Sequence, residues 1–315
     1  MLLEAPQREY RLWILDSRRW RRYTPRSDDI VIATYPKCGT TWMQRIVGML
    51  VFQTAEPMPI MQISPWIHRR FPQPIEAVVA QIEAQKHRRF LKSHLPLDGL
   101  PFYDDVKYIH IARDGRDACM SFHHHCTSFT DQMMGELNRS GLEDDAIGRP
   151  YPAIQVDPGQ FFHQWVTKGE VSSHEDGSPN MSFLQFQKTW WEARNRPNVL
   201  MVHYNDLQSD LSTEMRRIAD FLAVSVAADL WPRVTAAASF EAMRRDGDAL
   251  MSSTAAIFKN GSRSFFFKGA NGRWRGVANK EDLALYEAKA AAMLPPACAR
   301  WAATGRAQAG DPRQA

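Results

Sequence analysis

The chain is poor in cysteine: Cys38, Cys119, Cys126 and Cys298 are the only four in 315 residues. They form no CxxC pair and no zinc-ligand spacing, and a chain of this length does not depend on a disulfide framework. A reducing, cytoplasmic setting is expected. No run reaches the roughly 18–20 apolar residues that a membrane span needs. The opening "MLLEAPQREYRLW" is not read as a signal peptide, because Glu4 interrupts the apolar run before a hydrophobic core can form. Charge is nearly balanced, with a net of +4. That mild excess suits an enzyme for an anionic ligand as well as a nucleic-acid binder. Two phosphate motifs are missing as well. There is no G-x-x-x-x-G-K-[ST] loop, since Lys37 precedes Gly39, and no Cys–Arg pair with five residues between them. Aromatics are abundant, with ten Trp and sixteen Phe, and hydrophobic residues make up 44%. That is enough for a sizeable core.

The pattern that remains is a repeated strand–turn–helix plan. "DDIVIA" is apolar and β-branched, "TYPKCGTTW" is a turn, and "TTWMQRIVGMLVF" reads as a buried helix. This predicts a strand at about 29–34 and a helix at about 40–53. "RRFLKSHLP" (88–96) reads as a strand ending in a loop. "VKYIHIARDGRDACMSFHHHC" (106–126) repeats the plan around Gly115, and "NVLMVHYNDLQSDLSTEMRRIADFLAV" (198–224) repeats it again, with Ser209 or Ser212 as helix cap. Strands alternating with helices predict an α/β fold: one domain over residues 1–302, with a central parallel sheet flanked by helices. Residues 127–180 read as loops and short helices within that domain, and 303–315 as a flexible tail. Ligands of such sheets sit at the carboxyl ends of the strands, where "TYPKCGTTW", "KSH" and "ARDGRD" all fall.

The first turn has the chemistry of an anion cradle. Amides at a helix start lack partners and carry partial positive charge. Gly39 lets the backbone approach closely, Lys37 adds a full charge, and Thr40 and Thr41 add hydroxyls. Cys38 reads as a small residue filling a tight turn rather than a nucleophile, because no base lies near it in sequence. His123, His124 and His125 do not read as a metal site, because neighbours on a helix point about 100° apart. "RRWRRYTPR" (18–26) reads as a solvated basic face near an anionic site rather than a nucleic-acid arm. The aromatics Trp66, Phe71, Phe162 and Trp165 and the run "FLQFQKTWW" fit core or pocket equally well.

"DDIVIATYPKCGTTWMQRIV" resembles the 5′-phosphosulfate-binding loop of the cytosolic sulfotransferases, and the resemblance covers about residues 24–290. It implies 3′-phosphoadenosine 5′-phosphosulfate as sulfuryl donor, adenosine 3′,5′-bisphosphate as product and no metal. "KYIHIARDGRDACMSFHHH" resembles the 3′-phosphate segment, which assigns Arg113 and Ser121 to that phosphate. "FLKSHLPL" implies His94 as general base with Lys92 beside it. Lys37 would neutralise the leaving oxygen, with Cys38, Gly39, Thr40 and Thr41 in the loop around it. Trp42, Tyr204 and Phe240 match adenine-facing positions, with Ala238 where a threonine is usual. Lys268 and Gly269 match the last motif, but in "FFFKGANGRWRG" Phe267 stands for an arginine and Arg273 for an aspartate. Lys268 or Arg263 is left to replace the lost phosphate ligand. The implied reaction moves a sulfuryl group to a hydroxyl, in preference to an amine, of a small apolar acceptor. A small-molecule or nucleoside kinase, and a non-catalytic binder of 3′-phosphoadenosine nucleotides, are the alternatives. No nucleic-acid partner is expected, and the oligomeric state is open.

Overall fold

The computed structural model describes residues 1–315. Its centre is a four-stranded, wholly parallel sheet. In chain order the elements that build the site are β1 (Ile30–Thr34), α1 (Thr40–Phe52), β2 (Phe90–Ser93), β3 (Lys107–Ala112), α2 (Gly115–Thr127), α3 (Asp131–Leu142), α4 (Pro158–Thr167), α5 (Phe183–Glu192), β4 (Val199–His203), α6 (Leu211–Phe221) and α7 (Pro296–Thr304). The sheet order is β2-β1-β3-β4. The chain leaves β1 toward one edge and returns to its other side. This reversal opens a crevice beyond the strand ends.

Alternation along the strands divides the interior. Ile30 and Ile32 of β1, Ile109 and Ile111 of β3, and Leu200 and Val202 of β4 face one core, where α1 (Met43, Ile46, Val47, Leu50) and α6 (Met215, Ile218) cover them. Val31, Ala33, Tyr108, Val199 and Met201 face the other core, built with Cys119 and Phe122 of α2, Phe161 and Trp165 of α4, Phe186 and Trp190 of α5, and Trp301 of α7. Side chains at i and i+2 share a face of a strand, so a β-branched run buried on both sides needs helices above and below. The "FLQFQKTWW" aromatics, with Phe162 and Trp165, belong to this second core.

Three segments differ from the sequence reading. The cap of α6 is Asp210, whose carboxylate accepts from the Thr213 amide, while Ser209 donates to the Asp206 carbonyl and Ser212 already lies inside the helix. An ionised carboxylate at a helix start also opposes the macrodipole, an advantage a hydroxyl lacks. Residues 127–180 carry two full helices: α3, capped by Thr130, and α4, capped by Asp157 with Pro158 in its first turn. Residues 303–315, expected as a flexible tail, are hydrogen-bonded to the body. The amides of Arg306 and Ala307 donate to the Asp206 carboxylate, and Arg194 and Arg313 donate to the carbonyls of Pro312 and Val199.

A buried ion pair clips the starts of β1 and β2 together. Arg89 and Asp29 are 1% and 2% exposed, and Arg89 Nε donates to Asp29 Oδ1 at 2.8 Å. Tyr23 Oη and the Arg26 amide donate to the same carboxylate. Removing one partner of such a pair strands the other charge away from water. Asp29→Ala is expected to lower unfolding stability by about 3–5 kcal/mol at neutral pH. Urea unfolding with the slope unchanged measures this, and a loss under about 1 kcal/mol would contradict the pair's role.

Candidate active site

Each strand of the sheet delivers a polar side chain just past its end. His94 follows β2, Arg113 follows β3, Tyr204 follows β4, and Lys37 lies three residues beyond β1. These groups line a single cavity of about 460 Å³. Gly39, Thr40, Thr41, Trp42, Lys92, Ser121, Phe240, Lys268 and Gly269 line it too. Among the sequence-derived site residues, Cys38 and the alternative phosphate ligand Arg263 do not line it; Cys38 sits inside the core. It is fully buried, its thiol is pushed up to about 12 first by burial, and its amide donates to the Tyr35 carbonyl. The turn points its side chain into the core, which leaves only packing for it to do.

The loop between β1 and α1 is held in an unusual backbone. Gly39, the N-cap of α1, has φ of 106° and supplies no side-chain cap, so the first amides of a 13-residue helix stay free. Lys37 is left-handed too, with φ of 71°. A Cβ on Gly39 would come within 3.2 Å of the Tyr204 ring, at a dihedral that an L side chain tolerates poorly. The Lys37 ammonium lies 4.2 Å from the Phe265 ring centroid and donates to His125 Nδ1 at 3.4 Å. Burial, then repulsion from Arg113, lowers it to about 8. Lys92 lies 4.3 Å over the Trp66 ring; burial, then Arg69, lowers it to about 7.

His94 has a defined tautomer. Its Nδ1 lies 2.8 Å from the Thr34 carbonyl, which can only accept, so Nδ1 carries the proton and Nε2 keeps a lone pair. Burial, then Lys92, holds it well below the usual histidine range. With two lysines facing the ring, an anion is required to bring it up.

Arg113 is buried, lies 4.2 Å over the Tyr204 ring, and donates to the carbonyls of Lys37 and Ala270 and to Asn271 Oδ1. Trp42 meets Tyr204 edge-on at 5.3 Å and donates to the Ala238 carbonyl. Gly269, φ 62°, packs so closely that a Cβ would overlap the Phe240 ring at 2.5 Å. Three further stretches contribute walls: Met61, Trp66 and Arg69, then Phe129, Met133 and Tyr151, then Met251, Ile257 and Phe258.

Sequence reasoning missed Leu12–Leu15, Asn271, and His125 as the partner of Lys37. Each reaches the site through contacts across the fold, which carry no local signal. The arginines of 18–26 lie elsewhere and line no part of the cavity; Arg18, Arg21 and Arg26 pair with Asp16, Glu9 and Glu83. His123 and His124 contact the carbonyls of Gln155 and Ser264, away from His125 Nδ1, so the three imidazoles diverge.

In protein without added ligand, Lys92 keeps its proton in the fold only below about 7, against 10.5 for an ordinary lysine. Between those values the unfolded chain binds more protons, so stability rises with pH across that window, and below it the full cost of the buried ammonium is present. Lys92→Met is therefore expected to raise Tm near pH 7, with an advantage that shrinks toward about pH 10. Thermal melts across that range check this; a gain independent of pH would contradict it. Gly39→Ala is expected to weaken phosphate-ligand binding at least roughly tenfold through the strained turn, which calorimetric titration with adenosine 3′,5′-bisphosphate measures.

Residues 27–288 match the family model described as "Sulfotransferase domain". A glycolipid sulfotransferase of Mycobacterium bovis is 32% identical over 309 residues, covering 94% of each chain. Human sulfotransferase 1E1 is 28% identical over 263 residues, covering 80% of this chain and 79% of its own. Among solved structures, retinol dehydratase in complex with androsterone and inactive cofactor PAP superposes with a TM-score of 0.66 at 21% identity, covering 90% of this chain and 86% of that one. Its likeness shows the same α/β fold. With the motifs gathered in one cavity and the family model spanning most of its length, the chain belongs to the sulfotransferase domain family.

Proposed function

We propose that this sulfotransferase uses 3′-phosphoadenosine 5′-phosphosulfate as donor and a hydroxyl of a small, largely apolar molecule as acceptor, with His94 as general base. One observation carries the reading: the candidate residues from all four strand ends line one cavity with aromatic walls and with cations at the α1 and α2 starts and at the β2 end. The residues present fit the donor. The free amides of α1, Lys37 and Thr41 suit its phosphosulfate, Arg113 and Ser121 its 3′-phosphate, and Trp42, Tyr204 and Phe240 its adenine. The donor, when bound, supplies an activated sulfuryl group.

His94 Nε2 has the lone pair to take the acceptor's hydroxyl proton, and the Thr34 carbonyl stabilises the imidazolium that results. Lys37 neutralises charge on the departing bisphosphate, and Lys92 holds sulfuryl oxygens; both are preorganised cations in a partly dry site. The acceptor side favours a hydroxyl over a protonated amine. Lys92 and Arg69 face it, Arg69 is unpaired, and the cavity's one carboxylate, Glu241, stands beside Phe240 at the adenine end. The mycobacterial relative is named for glycolipids and the human one simply as a sulfotransferase; uncharged alcohols with an apolar body are the class we assign here. All four cysteines are free and buried, and no helix is long and apolar enough to cross a membrane, which supports a cytoplasmic setting.

Thermal-shift comparison tests the donor: adenosine 3′,5′-bisphosphate is expected to raise Tm by several degrees and ATP with Mg²⁺ far less. Equal responses would sink the assignment. His94→Ala is expected to lower kcat by about 10²- to 10⁴-fold while bisphosphate Kd changes less than about threefold. Near-wild-type turnover at saturating donor would show that another group is the base.

A further inference from the structure

The lost arginine at Phe267 leaves the α2 end of the cavity short of a phosphate ligand. Two candidates from sequence fare poorly there. Arg263 is exposed and lies outside the cavity lining, and Lys268 is exposed, with its ammonium 5.3 Å from the Phe267 ring centroid. Arg273 is differently placed. It lines the cavity, is half-buried, and its guanidinium makes no hydrogen bond or ion pair with any protein group. Its backbone is fixed: Asp117 Oδ1 accepts from the Gly272 amide at 2.7 Å and the Arg273 amide at 3.2 Å. Asp117 and Ser121 are four residues apart on α2 and so share a face. The loop is also tied to Arg113, which donates to Ala270 and Asn271. Arg273 is therefore anchored one turn from Ser121 and two residues from the partner of Arg113.

Phe267 has a part in this as a platform. Its ring stacks on His124 at 3.8 Å and 13°, and the Arg273 guanidinium lies 5.1 Å over the same ring. A guanidinium resting on an aromatic face keeps its edge N–H donors free for a planar, bidentate contact. The nearby charges at the guanidinium are Arg113, which repels it, and Asp117, which partly offsets that repulsion. After burial, repulsion from Arg113 lowers Arg273, and Arg273 in turn lowers Lys37 and His124. The other unpaired arginine of the cavity, Arg69, is at the opposite end, 5.9 Å over Trp66.

We propose that Arg273, seated on Phe267 and anchored through Asp117, binds the 3′-phosphate of the nucleotide together with Arg113 and Ser121. This rests on the nucleotide reading above, and it makes Arg273 a determinant of the preference for 3′-phosphorylated adenosine. A charge-assisted pair of this kind corresponds to roughly 10- to 100-fold in affinity.

Calorimetric titration with adenosine 3′,5′-bisphosphate and adenosine 5′-monophosphate tests it. Arg273→Gln is expected to raise the bisphosphate Kd roughly 10- to 100-fold and the monophosphate Kd by less than about threefold. Arg273→Lys, which keeps the charge, is expected to recover part of the preference. Lys268→Gln and Arg263→Gln are expected to stay within about threefold for both ligands. Equal losses for the two ligands, no loss, or a selective loss in Lys268→Gln instead would overturn the proposal. So would a Gln variant that fails to fold, since an unpaired guanidinium should be dispensable to the fold. Arg113→Gln separates the two levels. If the wild type shows no preference for the bisphosphate, or Arg113→Gln leaves it intact, the nucleotide reading fails and this proposal with it. If Arg113→Gln erases the preference and Arg273→Gln does not, only the role of Arg273 is lost.

Discussion

Positive charge gathered without counter-charge is the constraint from which the rest of the site follows. Lys37, Lys92, Arg69, Arg113 and Arg273 line one cavity, and the only carboxylate lining it is Glu241. Both lysines are pushed down by burial and by neighbouring arginines, and His94 is held neutral by the same burial and the same lysines. Such a cluster is unfavourable in isolation. It becomes favourable when a multiply charged anion enters, because attraction in a low-dielectric pocket is strong and the donors are already aimed. The fold supplies the rigidity: four parallel strands covered on both faces hold the cationic loops at one rim.

Much of this was legible along the chain. Apolar β-rich runs at 30–34, 90–93, 107–112 and 199–203 became the sheet, because a strand buried on both faces must read that way. Lys37, His94, Arg113 and Tyr204 could be found because each sits a residue or a few beyond such a run. Their convergence is a consequence of parallel topology. The Cys38 side chain packs in the core because the turn's left-handed residues on either side direct it inward, and sequence does not carry that dihedral information.

Other features lay beyond reach. His125 receives the Lys37 ammonium across 88 residues and Asn271 receives Arg113 across 158. Those pairings exist only once α2 and the 266–276 loop are packed. Arg273 looked like a lost aspartate; its relation to Phe267 and Asp117 is set by the path of the loop. The helices α3 and α4 were underestimated because their polar faces dilute the apolar period, although their caps at Thr130 and Asp157 were present in the sequence.

The side-chain amide of Asn271 gives Arg113 a neutral stand-in for an oxyanion. Its oxygen accepts both Nε–H and Nη2–H of the guanidinium, while its own NH₂ donates to Asn205 and Gln208. A buried guanidinium is thus kept solvated by dipoles and fixed in one rotamer before any partner of opposite sign arrives. In the proposed nucleotide complex, a phosphate oxygen would compete against a carbonyl-type acceptor, which is the weaker of the two. The swap costs little ordering entropy, since the fork is already immobilised. Arg113 is in effect spring-loaded: its orientation is settled at folding, and its charge is left for the ligand to quench.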